Sequence, residues 1–137
     1  MQNILTPVSW GELIDKITIL SIKNDRIHDE AKLANIRAEL KALEDVVLAH
    51  LPADKTTALR SLQAKLKGVN EELWVIEDDI RVCERNQDFG AEFVRLARAV
   101  YVTNDQRFLV KREINDLLGS SLKEEKSYQD YSHTKSA

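Results

Sequence analysis

The chain has 137 residues, a formal net charge of −3 and a single cysteine, Cys83. That length suits one domain that buries a core without metal or disulfides, and the charge gives no electrostatic reason to expect nucleic acid or anionic lipid as a partner. Hydrophobic residues make up 43% and charged residues 31%, with only four glycines and two prolines, a composition suited to helices and too poor in turn formers for an all-β fold. One free thiol excludes an internal disulfide framework and fits a reducing, cytoplasmic setting. The N-terminus has no basic region followed by an apolar one, and the longest apolar runs, 17–22 and 46–51, are too short to span a bilayer, so no membrane association is expected.

Ser9 opens the first predicted helix, with Glu12 placed to complete a capping box and Val8 to act as a staple. Leu13, Ile17, Leu20 and Ile27 recur at helical spacing, and Ile14, Ile19 and Ile22 widen the stripe enough to suggest burial on more than one side. Asp29 is a good N-cap for the second helix, whose seam reads Leu33, Ile36, Leu40, Leu43 and Val47 before Pro52 ends it. The third helix is expected from about Asp54 to Arg85. Leu59, Leu62, Leu66, Val69, Leu73, Ile76, Ile80 and Cys83 hold a coiled-coil-like heptad rhythm along it, and Leu66 and Ile76 are both expected in the core. Residues 86–90 break the pattern. A fourth helix then runs to Leu118 on a stripe of Phe93, Leu96, Val100, Val110, Ile114 and Leu117, with Gly119 placed to stop it.

Short connections make consecutive helices antiparallel. The expected architecture is therefore all-α, two antiparallel hairpins packed as a four-helix bundle, with the second hairpin longer and its 86–90 tip overhanging the first. One domain over 1–128 is expected, followed by a flexible tail over 129–137.

Few motifs survive. Asp88-Phe89-Gly90 spells the kinase magnesium motif without any other kinase element, and reads as a turn with Asp88 capping and Phe89 closing the core. Ser120 to Lys123 matches Ser-x-x-Lys without partner motifs. Asp25 and His28 could share a helix face, yet helical metal sites need several such carboxylate–histidine pairs. His50 and His133 have no ligand-like neighbours, and Cys83 reads as a small buried hydrophobe. No catalytic group, metal or cofactor is assigned. The acidic run Glu71, Glu72, Glu77, Asp78, Asp79 and Glu84 on helix three, and Arg95 and Arg98 on helix four, read as solvated faces.

One polar constellation stands out: Asn24, Asn35, Glu77, Tyr101, Asn104 and Arg107, which fall at similar heights along the two hairpins. A buried polar group left unsatisfied costs roughly 1–3 kcal/mol, so these residues form either a satisfied network that fixes helix register or the wall of a small pocket between helices. The network is the preferred reading.

Several segments carry a resemblance: residues 11–16 (Gly-Glu-Leu-Ile-Asp-Lys), 32–35 (Lys-Leu-Ala-Asn), 73–78 (Leu-Trp-Val-Ile-Glu-Asp), 96–101 (Leu-Ala-Arg-Ala-Val-Tyr), Asn104-Asp105 and 124–128 (Glu-Glu-Lys-Ser-Tyr). From Gly11 to Tyr128 the chain resembles a family of small bacterial proteins known only as a domain of unknown function. The resemblance brings no activity, and suggests at most an accessory role beside envelope-glycan synthesis. Two functions are then weighed. The first is a non-enzymatic interaction protein, a homodimer or a binder of a protein partner through its long hairpin. The alternative is a small-molecule bundle or helical enzyme by loose analogy with helical chorismate mutases, with Arg26, Arg107, Lys111 and Arg112 supplying charge for a dianion. They are separated by whether those cations converge on a cavity.

Overall fold

The computed structural model describes residues 2–132. Among these are four α-helices, α1 (Trp10–Arg26), α2 (Glu30–His50), α3 (Thr56–Arg85) and α4 (Ala91–Leu118), and no strand. No helix is long and apolar enough to cross a membrane.

Local chemistry sets most boundaries. Ser9 accepts a hydrogen bond from the Glu12 N–H at 3.1 Å, and Asp29 does the same for Lys32, so both N-termini are capped as expected. The capping box at α1 is only half formed, because the Glu12 carboxylate goes to Lys111 instead, and Val8 is exposed rather than stapled. Gly119 ends α4 in the left-handed region (φ 65°, ψ 40°), donating to the Asn115 carbonyl. Helix three starts at Thr56 rather than Asp54: Pro52 permits a single 3-10 turn, Ala53–Lys55, closed by the Lys55 N–H on the Pro52 carbonyl.

Helix α1 is the centre of the fold. It packs against α2, α3 and α4, and eight of its residues are buried. The wide stripe has this cause, since a helix with neighbours on three sides keeps only a narrow solvent face, here Glu12 and Lys16 with the half-buried Lys23 in line, before Asp25 and Arg26 at its exposed end. Helix α2 lies on the outer side of α1, with Leu33, Ile36 and Val47 buried and Lys16–Glu39 bridging the two at 3.0 Å. Helices α3 and α4 pack along one another and both lie against α1. The core joins Leu13, Ile14 and Ile17 of α1 to Val47, Leu59, Leu66, Val110 and Ile114. Each such side chain contributes about 1.5–3 kcal/mol by leaving water.

The heptad of α3 is buried unevenly. Leu59 and Leu66 are fully buried, whereas Leu73, Ile76 and Ile80 keep partial access to solvent and only Cys83 is buried further along. Burial pushes the Cys83 thiol up, with help from Asp88, Glu92 and Asp79, so it is a poor nucleophile. At the turn Asp88 accepts from the Gly90 N–H as expected, but Phe89 does not close a core: it is 54% exposed and meets Phe93 edge-on at 5.3 Å.

This gradient sets an expected order of stability losses. Leu66→Ala and Ile114→Ala should each cost roughly 2–5 kcal/mol, while Ile76→Ala should cost about 1 kcal/mol. Urea denaturation of the three variants checks it, and an equal loss at Ile76 would mean that this part of α3 is covered in solution.

Candidate functional site

The polar centre of the molecule is built on α1. Asp15, only 3% exposed, lies one turn above Gly11 and follows the buried Ile14 on the most enclosed helix. Its Oδ1 accepts from Asn70 Nδ2 of α3 at 2.9 Å and from Arg107 Nε of α4 at 2.9 Å, and Oδ2 accepts from a second nitrogen of the same guanidinium. Asn70 also donates to the Thr18 hydroxyl at 2.8 Å, and that hydroxyl donates to the Asp15 carbonyl. The guanidinium is raised in basicity chiefly by the Asp15 hydrogen bonds, which outweigh partial burial. A paired, fork-to-fork arginine and carboxylate with a further donor on the carboxylate is the arrangement in which burying such charges is tolerated.

A second contact lies one turn towards the N-terminus of α1. Lys111 is buried, and its ammonium reaches Glu12 at 2.6 Å and Glu124 at 3.0 Å, so it clasps α1 and the post-helical segment to α4. Burial alone pulls Lys111 down, but the hydrogen bonds to the two carboxylates outweigh it and hold the ammonium above the ordinary lysine value. Below it the Gly11 N–H donates to Asn115 Oδ1 at 2.7 Å, and a Cβ on Gly11 would meet the Lys111 carbonyl at 2.6 Å. Glycine is needed there because two helix backbones touch.

Beside the Asp15 network an open groove of about 370 Å³ runs between α1 and α3. Ile19, Ile22, Leu73 and Trp74 form its apolar surface, with Asn70 and Arg107 also lining it and Glu77, Asp78 and Arg81 along α3. Arg81 pairs with Glu77, and the Arg26 guanidinium lies over the Trp74 ring, 5.9 Å from its centroid.

The six residues of the sequence constellation separate. Glu77 and Arg107 line this groove together. Asn24 instead accepts from Arg37 Nε at 2.9 Å, joining α1 to α2. Asn35 is exposed on α2, and Asn104 is half-buried on α4. Tyr101 is 44% exposed and meets Tyr131 at 5.1 Å. Asp15, Thr18, Asn70 and Asn115 were not singled out from sequence, although Asp15 and Thr18 fall off the solvent stripe of α1 defined by Glu12, Lys16 and Lys23. That placement was the available signal. Of the four cations weighed for a dianion, Arg107 is committed to Asp15, Lys111 to two glutamates and Arg26 to Trp74, while Arg112 is half-exposed near Glu125. Among the described residues no group of three His, Cys, Asp or Glu is placed to hold a metal, and His133 lies outside them.

Four helices, three of which meet at a salt-bridged polar centre, make this a small all-α bundle protein. The chain belongs to a family of unknown function (DUF6165), whose model matches residues 4–137. No match appears among curated proteins or among solved structures.

Removing one member of the central pair strands the other. Arg107→Leu should cost about 3–5 kcal/mol because it leaves a buried carboxylate without its cation, and the double change with Asp15→Leu should recover most of that loss. Chemical denaturation of the singles and the double forms the cycle, and a double variant as unstable as Arg107→Leu would refute it. The clasp adds a pH signature. A lysine raised on folding stabilises fully below the ordinary lysine value and loses that contribution as the pH climbs through the raised one. Melting temperature should therefore fall more steeply above about pH 10 in wild type than in Lys111→Met.

Proposed function

We propose that this protein is a non-enzymatic interaction module, and that it works by presenting the outer part of its α3–α4 pair to another helical surface. The helices are taken as two antiparallel hairpins of unequal reach. What supports this is the pairing of Lys65 with Glu113 near one end and the mutual influence of Cys83 with Glu92 and Arg95 near the other. Helix α3 is about 45 Å long and α1 about 25 Å at 1.5 Å per residue. Arg26, the last residue of α1, lies over Trp74, and α3 continues from there to Arg85.

The single observation that carries the proposal is what that continuation leaves in water. Val75, Val82, Phe89, Val94 and Val102 are each between 39% and 54% exposed. Scattered exposed apolar residues need no explanation, but a run of them on two helices that pair chiefly with each other marks an interaction surface. The alternative of a small-molecule site has the α1–α3 groove in its favour. Its cations are matched by Asp15 and Glu77, so it offers no surplus positive charge for a dianion.

Site-specific photo-crosslinking in intact cells tests the proposal. A crosslinker at position 82 or 102 should give discrete adducts, while one at position 48, where Leu48 is 70% exposed on α2, should not. Adducts absent from 82 and 102, or the same from all three, would overturn it.

A further inference from the structure

The two helices of the long pair have a side that faces α1 and a side that does not. On α3 the α1 side is marked by Trp74, Glu77 and Arg81, which line the groove with Ile19 and Ile22. The heptad places Glu72, Val75, Asp79 and Val82 on the opposite flank, at the spacing of a helix seam (i, i+3, i+7, i+10). On α4 the α1 side is marked by Arg107 and Lys111, and the opposite flank carries Arg95, Ala99, Val102 and Leu109, again at seam spacing. Arg95 is raised chiefly by its hydrogen bond to Glu92, and Asp79 across the pair adds to this. On these flanks Val75 is 45% exposed, Val82 43%, Val102 39% and Leu109 59%.

Helix α2, which in a closed bundle would complete the fourth corner, packs against α1 instead. The outer face of α3–α4 is thus a half-bundle, with apolar seam residues and no helix over them among the described residues.

The charges on this face are divided by helix. The α3 flank carries Glu72 and Asp79. The α4 flank carries Arg95, which is paired with Glu92 of its own helix, and Arg98 stands beside it along a shallow depression lined by Ala91, Val94 and Val102. A surface acidic on one helix and basic on the next is complementary to its own copy after a two-fold rotation, since that operation sets α3 over the partner's α4 twice. We infer that a second copy of this chain covers the face. Resting on the interaction reading above, this names the partner: α3 and α4 of two copies form the inner four-helix bundle, with α1 and α2 of each copy outside it. Val75, Val82, Val102 and Leu109 supply the apolar seam, and Asp79 of each copy faces the arginines of the other.

The test is sedimentation velocity of the full chain, with two charge-reversed variants. One is Glu72→Arg with Asp79→Arg, and the other is Arg95→Glu with Arg98→Glu. Wild type should sediment as a dimer at micromolar concentration. Each variant alone should dissociate at least tenfold more readily, because like charges then face each other. Mixing the two should restore a dimer, because every reversed contact meets its complement in the other variant. Unchanged helical circular dichroism keeps a folding failure from mimicking dissociation, and Val102→Glu provides a second disruption if either variant fails to fold. A wild type that stays monomeric to about 100 µM overturns the inference, as does a dimer indifferent to both reversals or a mixture that stays monomeric. If wild type is monomeric while crosslinks from 82 and 102 reach other proteins, self-association falls and the interaction reading stands. If both experiments are blank, both fall.

Discussion

Asp15 is a carboxylate on the most enclosed helix of the fold, and three elements must be in register before it is satisfied. Its oxygens are reached from α3 by Asn70 and from α4 by Arg107, with Thr18 closing the network from α1 itself. An aliphatic core tolerates small slips of one helix along another, whereas a buried carboxylate stripped of its donors costs several kcal/mol. The network thus selects one rotation and one height for α3 and α4 around α1, and every apolar contact of the core is made in that register. Its neighbours follow from the same choice. With Arg107 opposite Asp15, Lys111 arrives at Glu12 and Asn115 at the Gly11 amide, one helical turn apart each time.

The elements were legible because their signals are local. Ser9, Asp29, Pro52 and Gly119 act within a few residues, and the periodicity of Leu33 to Val47 or Leu59 to Cys83 is a property of one helix. The polar centre was much less so. Counting along hairpins gives height but not azimuth, and height alone groups Asn24, Asn35 and Tyr101 with Arg107. In the structure Asn24 turns to α2, Asn35 to solvent and Tyr101 to Tyr131. The residues that do meet are those whose own helix gives them no route to water. Asp15 falls off the solvent stripe of α1, Lys111 lies between Val110 and Ile114, and Asn70 follows Val69 on α3. Which pairs they form depends on how three helices meet, and no local pattern encodes it.

The segment after α4 belongs to the same electrostatic scheme. Glu124 shares Lys111 with Glu12, Lys126 lies against Asp105 and over the Phe108 and Tyr128 rings, and Tyr131, raised by its hydrogen bond to Asp105, meets Tyr101. Apart from the Lys111 clasp these are partly or wholly exposed contacts, individually worth about 0–1 kcal/mol and weakened by salt. They lay the segment along α4 without adding to the core, so the fold rests on the helices while the segment rests on Lys111.

Burial along α3 separates what the fold needs from what it carries besides. The core is complete with Leu59 and Leu66 on α3 and Val110 and Ile114 on α4, and the polar centre is complete with Asn70 and Arg107. Past Asn70, only Cys83 is buried on α3. On α4 the matching stretch buries Leu96 and Thr103, and each turn beyond the polar centre orders backbone at roughly 1–2 kcal/mol per residue. Here the pair runs on with valines on its open face and opposite charges on its two helices. Those residues stabilise the isolated molecule poorly, and the proposed association would give the outer half of α3–α4 the burial that the inner half already has from folding.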